Sequence, residues 1–267
     1  MDDAGIGAIV YGIKISQLSN YALIIFSTNP EGKPESDQKY ESDFKAFVEK
    51  TCSQHFFSNY TIEFGKGYLP EAVAEFTTRT EVVNVIFSMR PPSGFNPFYG
   101  VKFIKATKKI VVPFMVIQDN EPSTQLMEHL YIPISHKKEG KEKLIWAESF
   151  CKDKHIKIKL IPAKAIEPLS KATIQHNINF ACRQFEANNI PYEIIKGTKS
   201  SYKIDQEAIQ ISAKNRDGIV LITATKHYGP EQEIIGPPEL NAIINSDKVP
   251  ILCLNPRKDL HVIYAKF

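Results

Sequence analysis

The sequence lacks the features that mark a membrane-spanning, disulfide-bonded or metal-binding protein. Its longest nearly unbroken apolar run, Ile110 to Ile117, is far shorter than the roughly 20 residues that a helix needs to cross a bilayer. The four cysteines form no CxxC pair, and the seven histidines form no HExxH or other close pair. We therefore predict reduced, mostly buried thiols, no metal site and no membrane partner.

An excess of charge of one sign is also missing. The chain has 33 Lys and Arg residues against 30 Asp and Glu residues, a net charge of +3, and this balance predicts no nucleic-acid partner. The sequence opens Met1-Asp2-Asp3 with no apolar signal segment behind it, so we expect a cytoplasmic location. Hydrophobic residues make up 43% and charged residues 24% of the chain, which is typical of folded globular domains.

What the sequence does contain is an internal repeat with a period of about 135 residues. The Val-Pro dipeptide at Pro113 and the one at Pro250 each lie within an apolar run. Gly100 aligns in the same way with Gly236, and the apolar run at 82–88 aligns with the run at 218–224. Ordered matches of this length predict a duplicated domain.

The second copy reads as alternating strands and helices. Strands are predicted at Leu130–Ile134, Ile156–Ile161, Tyr192–Lys196, Ile219–Thr223 and Val249–Leu254. Apolar residues at helical spacing predict helices at Glu142–Lys152, Lys171–Asn188 and around Ile204–Ile211, with a further helix opening at Gly236-Pro237-Pro238. The order βαβαβαβαβ requires a mostly parallel sheet that is covered on both faces.

The first copy shows the same order with its first strand missing. We predict a helix at Asp3–Ser19 and strands at Tyr21–Phe26, Tyr60–Phe64, Val82–Phe87 and Ile110–Ile117. The chain is thus expected to begin one strand late, and another segment is expected to fill the gap unless the sheet closes up. The alternative is that Ile6–Tyr11 is itself a strand. The predicted domains are residues 1–118 and 129–267, joined by a linker at 119–128.

These repeated units resemble the universal stress protein family in its tandem form, and the resemblance covers nearly the whole chain. It rests on the fourth strand that leads into a long glycine-bearing loop, a helix and a final Val-Pro strand. The resemblance implies two doubly wound, five-stranded sheets of the adenine nucleotide alpha hydrolase-like type, with strand order 3-2-1-4-5. It also implies that the two fifth strands pair within one chain, and it allows a homodimer as well.

Nucleotide-binding members of the family carry an aspartate at the end of the first strand and a G-x2-G-x9-G-[ST] loop after the fourth. In the second copy the aspartate position is Ser135, the first two glycine positions are Thr223 and Lys226, and the hydroxyl position is Pro237. In the first copy the glycine positions are Phe87, Arg90 and Gly100, followed by Val101 and Lys102. The candidate residues of this degenerate ligand site are Ser135, Thr223, Lys226, Gly229, Gly236, Gly100 and Lys102.

The departures from the motif weaken phosphate binding for a physical reason. Glycine lets backbone N–H groups approach a phosphate closely, and a helix start supplies free N–H donors, whereas Pro237 and Pro238 remove two of those donors. We therefore expect a stress-response protein of the subgroup that does not bind ATP, acting by binding or association, with no cofactor and no catalysis. The alternatives are a nucleotide-binding regulator with slow or no hydrolysis and a sensor for another small ligand.

Two further patterns suggest a function but have simpler structural explanations. The Lys-rich stretch from Lys137 to Lys159 is interspersed with acidic residues, so we interpret it as a solvated face rather than as a track for a phosphate backbone. A hydrolytic triad of Ser135, His136 and Asp217 can be written down, but no nucleophile-elbow pattern surrounds the serine.

Overall fold

A computed structural model of the chain describes residues 4–29, 34–89, 97–118, 127–137, 140–152, 155–225 and 237–256. The chain divides into two compact units, Met1–Pro122 and Ser123–Phe267. Each unit consists of helices that alternate with parallel strands, so the predicted α/β fold class is confirmed.

In the described residues of the first unit, four strands pair two by two. Its elements are α1 (Ala4–Ser19), β1 (Leu23–Thr28), α2 (Pro34–Gln54), β2 (Tyr60–Gly65), α3 (Leu69–Arg79), β3 (Val85–Ser88), α4 (Pro97–Thr107) and β4 (Phe114–Ile117). β1 pairs in parallel with β2, and β3 pairs in parallel with β4. Helix α1 covers the predicted segment, and the alternative of a strand at Ile6–Tyr11 is wrong.

Helix α1 packs against the two strands that would flank the missing first strand of this unit. Among the described residues no strand precedes it, and it contacts both β1 and β3, the two strands that flank the missing one in the order 3-2-1-4-5. Its residues Ile9, Tyr11, Ile13 and Ile15 are all at most 6% exposed. Because positions two residues apart lie about 200° apart around a helix, α1 is buried on opposite sides rather than along one stripe.

The second unit has the complete order of elements. They are β5 (His129–Ile134), α5 (Gly140–Cys151), β6 (Lys157–Pro162), α6 (Pro168–Ala187), β7 (Tyr192–Ile194), α7 (Ile204–Asn215), β8 (Gly218–Thr223), α8 (Pro238–Ile243) and β9 (Ile251–Leu254). Within this unit the strands pair in parallel in the order β7-β6-β5-β8-β9. Numbered within the unit, this order is 3-2-1-4-5.

Strand β5 is the centre of the second unit because it pairs with strands on both sides. Leu130, Tyr131 and Ile132 are fully buried, as continuous apolar strands of a parallel sheet are. Helix α5 contacts α6, and α7 contacts α8. All strands of a parallel sheet end at the same edge, so the loops that follow β5, β6, β7 and β8 meet there, where open α/β sheets bind ligands.

The described residues contain no helix that is long and apolar enough to cross a membrane. In the same part of the chain, no three or more His, Cys, Asp or Glu side chains are grouped so as to hold a metal ion. All four cysteines are free, and Cys52, Cys151 and Cys253 are buried.

Candidate functional site

The carboxyl edge of the second unit brings Ser135 and Thr223 to the ends of two neighbouring strands, β5 and β8. Ser135 is half-buried; its Oγ accepts a hydrogen bond from the Lys137 N–H at 3.3 Å, and its carbonyl accepts one from Asn177 Nδ2 at 3.1 Å. Thr223 Oγ1 is buried and has no hydrogen-bond partner among the described residues. The candidate residues Lys226, Gly229 and Gly236 lie outside the described residues.

The loop that follows β8 directs its donors at an internal carboxylate. Thr225 N–H donates to Glu239 Oε1 at 3.0 Å, and Thr225 Oγ1 donates to Glu239 Oε2 at 2.8 Å. Glu239 is in the first turn of α8 and is 4% exposed. A carboxylate of the protein therefore holds backbone and hydroxyl donors in the loop where the family's phosphate motif is expected.

The loop that follows β7 is arranged in the same way. The N–H groups of Thr198 and Lys199 donate to the Glu207 carboxylate at 3.0 Å, and Thr198 Oγ1 donates to it at 2.6 Å. Burial acts to raise the pKa of Glu207, but these hydrogen bonds and the charge of Lys199 outweigh it and lower the pKa. The loops after β7 and β8 thus both point their anion-binding donors inward.

A buried lysine lies beneath the same edge. Lys143 of α5 is 4% exposed, and its ammonium donates to the Pro133 carbonyl in β5. Burial lowers the pKa of Lys143 to about 8, against the opposing charge of Asp205. Burial likewise raises the pKa of Asp205, which Lys143 opposes, and raises that of the Cys253 thiol.

The first unit does not form an equivalent site from its candidate residues. Gly100 and Lys102 lie inside α4, which begins at Pro97, so Lys102 is beyond the first turn and its N–H is not a free terminal donor. The Lys102 ammonium lies 4.2 Å from the centroid of the Tyr68 ring, a cation–π contact. Gly100 and Lys102 therefore lie within α4, and their contact with a ligand stays a prediction.

A second polar network lies at the opposite, amino-terminal end of the same strands. Asp217, just before β8, accepts a hydrogen bond from Tyr131 Oη at 2.7 Å, and its carboxylate lies 3.3 Å from Lys159 Nζ and 2.9 Å from His129 Nδ1. Asn215 Nδ2 also donates to Tyr131 Oη at 2.9 Å. Burial acts to raise the pKa of Asp217, but the Tyr131 hydroxyl, His129 and Lys159 outweigh it and lower that pKa.

The positions of these polar groups correct two interpretations made from the sequence. Lys143 and Lys159 are 4% and 8% exposed, so the solvated-face interpretation of the Lys-rich stretch is wrong for these two lysines, which have polar partners inside the unit. The triad is excluded because Ser135 follows β5 and Asp217 precedes the parallel strand β8. At about 3.3 Å per residue, the two lie about 20 Å apart.

Sequence reasoning missed Glu239, although a signal for it exists. An acidic residue in the first turn of a helix is a common partner for N–H donors at the helix start, and Glu239 follows two prolines that open α8. Lys143 and Lys159 carry no comparable signal, since nothing in their spacing identifies Pro133 or Asp217 as partners. Only the fold brings those groups together.

No family model matches the sequence, and no curated protein matches it. Solved structures do match: a universal stress protein from Archaeoglobus fulgidus DSM 4304 aligns at a TM-score of 0.72 and 10% identity, covering 96% of each chain. A provisionally named universal stress protein from Pseudomonas aeruginosa UCBPP-PA14 aligns at a TM-score of 0.55 and 13% identity, covering 94% of this chain and 90% of that one. This chain has the fold of the universal stress proteins.

Proposed function

We propose that this chain is a stress-response protein that acts by binding or association and does not hold ATP through the loop after β8. The proposal includes no catalytic step. The observation that carries it is the pair of hydrogen bonds, 3.0 and 2.8 Å long, from Thr225 to the Glu239 carboxylate. A phosphate at this loop would have to displace that carboxylate and lie beside its negative charge.

The residues around the loop support the same proposal. Thr223 and Lys226 stand at glycine positions, where a side chain keeps the backbone away from a phosphate. Pro237 and Pro238 remove N–H donors at the start of α8. ATP is therefore expected to bind no tighter than millimolar, about -4 kcal/mol.

Calorimetric titration with ATP tests this proposal. A variant with Ser135→Asp, Thr223→Gly, Lys226→Gly and Pro237→Ser restores the motif, and its affinity should rise at least tenfold if backbone access and helix donors are what is missing. Micromolar binding of ATP to the unmodified protein, mapped to this loop, would contradict the proposal and favour the alternative of a nucleotide-binding regulator.

Association of the two units through their fifth strands stays a prediction. β4 and β9 are short apolar strands that are buried along their whole length, and an apolar strand edge without a partner invites aggregation. A specific protease site inserted between residues 122 and 123 would let the linker be cut. The two fragments should then co-elute in size-exclusion chromatography, whereas separate elution would contradict the pairing.

A further inference from the structure

An open cleft of about 800 Å³ lies at the carboxyl edge of β6 and β7, against one side of α6. Its volume is within the range of small-molecule sites. It is lined by the loop after β6, by α6 and by the loop after β7, and is therefore separate from the Thr225 loop. Ligand binding at this cleft goes beyond the proposed function, because it does not depend on whether that loop binds ATP.

The lining combines cationic and apolar groups. Among the described residues that line it, the charged ones are Lys164, Lys171 and Lys196, and none is acidic. All three lysines are exposed, and none has an ion-pair partner within the described part of the chain. The apolar lining includes Ala163 and Ile174, both at most 7% exposed.

The start of α6 contributes little to the potential of the cleft. Pro168 at the first helical position has no N–H, and the carboxylate of Glu167 stands at the N-cap. Lys171 and Ala172, which follow in the helix, line the cleft.

Two carboxylates contact or flank segments that line the cleft. Glu207 accepts hydrogen bonds from Thr198 and Lys199, and Glu167 Oε2 accepts one from Ser170 Oγ at 2.9 Å. Neither carboxylate lines the cleft itself. Three lysines and an apolar floor thus meet at one opening.

We propose that this cleft binds small organic dianions that have an apolar body. The ammonium groups of Lys164, Lys171 and Lys196 hold the phosphate or the paired carboxylates, and the alanine and isoleucine side chains contact the apolar part. Both halves of such a ligand contribute, so neither the inorganic anion nor the neutral apolar body binds comparably.

The test titrates the intact protein with 1-naphthyl phosphate, with inorganic phosphate and with 1-naphthol, followed by amide chemical shifts in NMR spectra. We compare a cleft variant, Lys164→Gln, Lys171→Gln and Lys196→Gln, with a control variant, Lys50→Gln, Lys105→Gln and Lys214→Gln. Both variants lose the same charge at exposed positions. A general attraction of anions to the protein would therefore weaken equally in the two.

The expected result is saturable binding of 1-naphthyl phosphate with shifts centred on residues 162–165, 171–178 and 196–198. The cleft variant should bind at least tenfold more weakly than the unmodified protein, and the control variant within twofold of it. The proposal is overturned by any of three outcomes: no saturation at 10 mM, shifts centred elsewhere, or equal weakening in both variants. Mapping on the unmodified protein decides the matter even if a variant fails to fold.

Discussion

The two units carry the same sequence repeat and differ most at their centres. In the second unit, β5 pairs with β6 on one side and β8 on the other. In the first unit no described strand takes that place, and α1 contacts the strands on both sides of it. In the second unit the corresponding helix, α5, likewise contacts β6 and β8. The first unit thus keeps this helix, buried on opposite sides, and has no described strand at its centre.

This difference extends to the edge where ligands are expected. The second unit has loops after β7 and β8 whose donors meet Glu207 and Glu239, whereas the first unit has Gly100 and Lys102 inside a helix. The two copies of the repeat therefore share their order of helices and strands but differ in the described polar groups that follow the strands.

The largest expected effect concerns α1. Tyr11→Ala should destabilise the protein by about 3–5 kcal/mol, because it leaves a cavity at a site that is 1% exposed. Leu18→Ala on the same helix is the control, since Leu18 is 40% exposed and should cost about 1 kcal/mol or less. Urea unfolding measures both changes. Equal costs would show that α1 is not enclosed.

The next effect concerns Lys143 and the pH dependence of stability. Its pKa is lowered from 10.5 to about 8, so between these values the unfolded chain binds more protons than the native protein, and stability rises with pH. The rise due to this group is about 3 kcal/mol. Lys143→Met should abolish it, as measured by urea midpoints at pH 7.5, 9 and 10. The same slope in both proteins would contradict the burial of a charged lysine.

A smaller effect is expected for the amino-terminal network of the second unit. Asp217→Asn removes the carboxylate that faces Lys159 and should cost about 2 kcal/mol, since both side chains are largely buried, at 14% and 10% exposed. Glu75→Gln is the control because Glu75 pairs with Arg79 outside this network and is 68% exposed. It should cost less than about 1 kcal/mol.

Acidification compares the unmodified protein with Asp217→Asn. Because the pKa of Asp217 is lowered in the native protein, its contribution to stability is present above the unfolded pKa of about 3.9 and is lost as pH falls through the native pKa. The unmodified protein should therefore lose more stability between pH 5 and pH 2 than Asp217→Asn does. If the two proteins show parallel losses, Asp217 is not held in its charged form by the network.

The sequence predicts the strands of both units well because buried parallel strands are continuous apolar runs, as at Ile219–Thr223. It does not predict the partners of buried charged residues. Lys159 alternates with apolar residues on β6, and its partner Asp217 is 58 positions away, so only the strand order brings the two together. The sequence predicts that Ser135 and Thr223 lie at the carboxyl ends of their strands, and the structure has them there. The contact of Glu239 with Thr225 depends on the path of the loop that leads to α8.

The central claim is that Glu239 holds the donors that a phosphate would need. Calorimetric titration of ATP into Glu239→Ala tests it most directly, with Glu207→Ala as the control, because Glu207 holds the donors of the loop after β7 in the same way. Freeing Thr225 and removing the negative charge should raise ATP affinity at least about fivefold, roughly 1 kcal/mol, in Glu239→Ala, while Glu207→Ala stays within twofold of the unmodified protein. An unchanged affinity in Glu239→Ala, or an equal rise in both variants, would contradict the account.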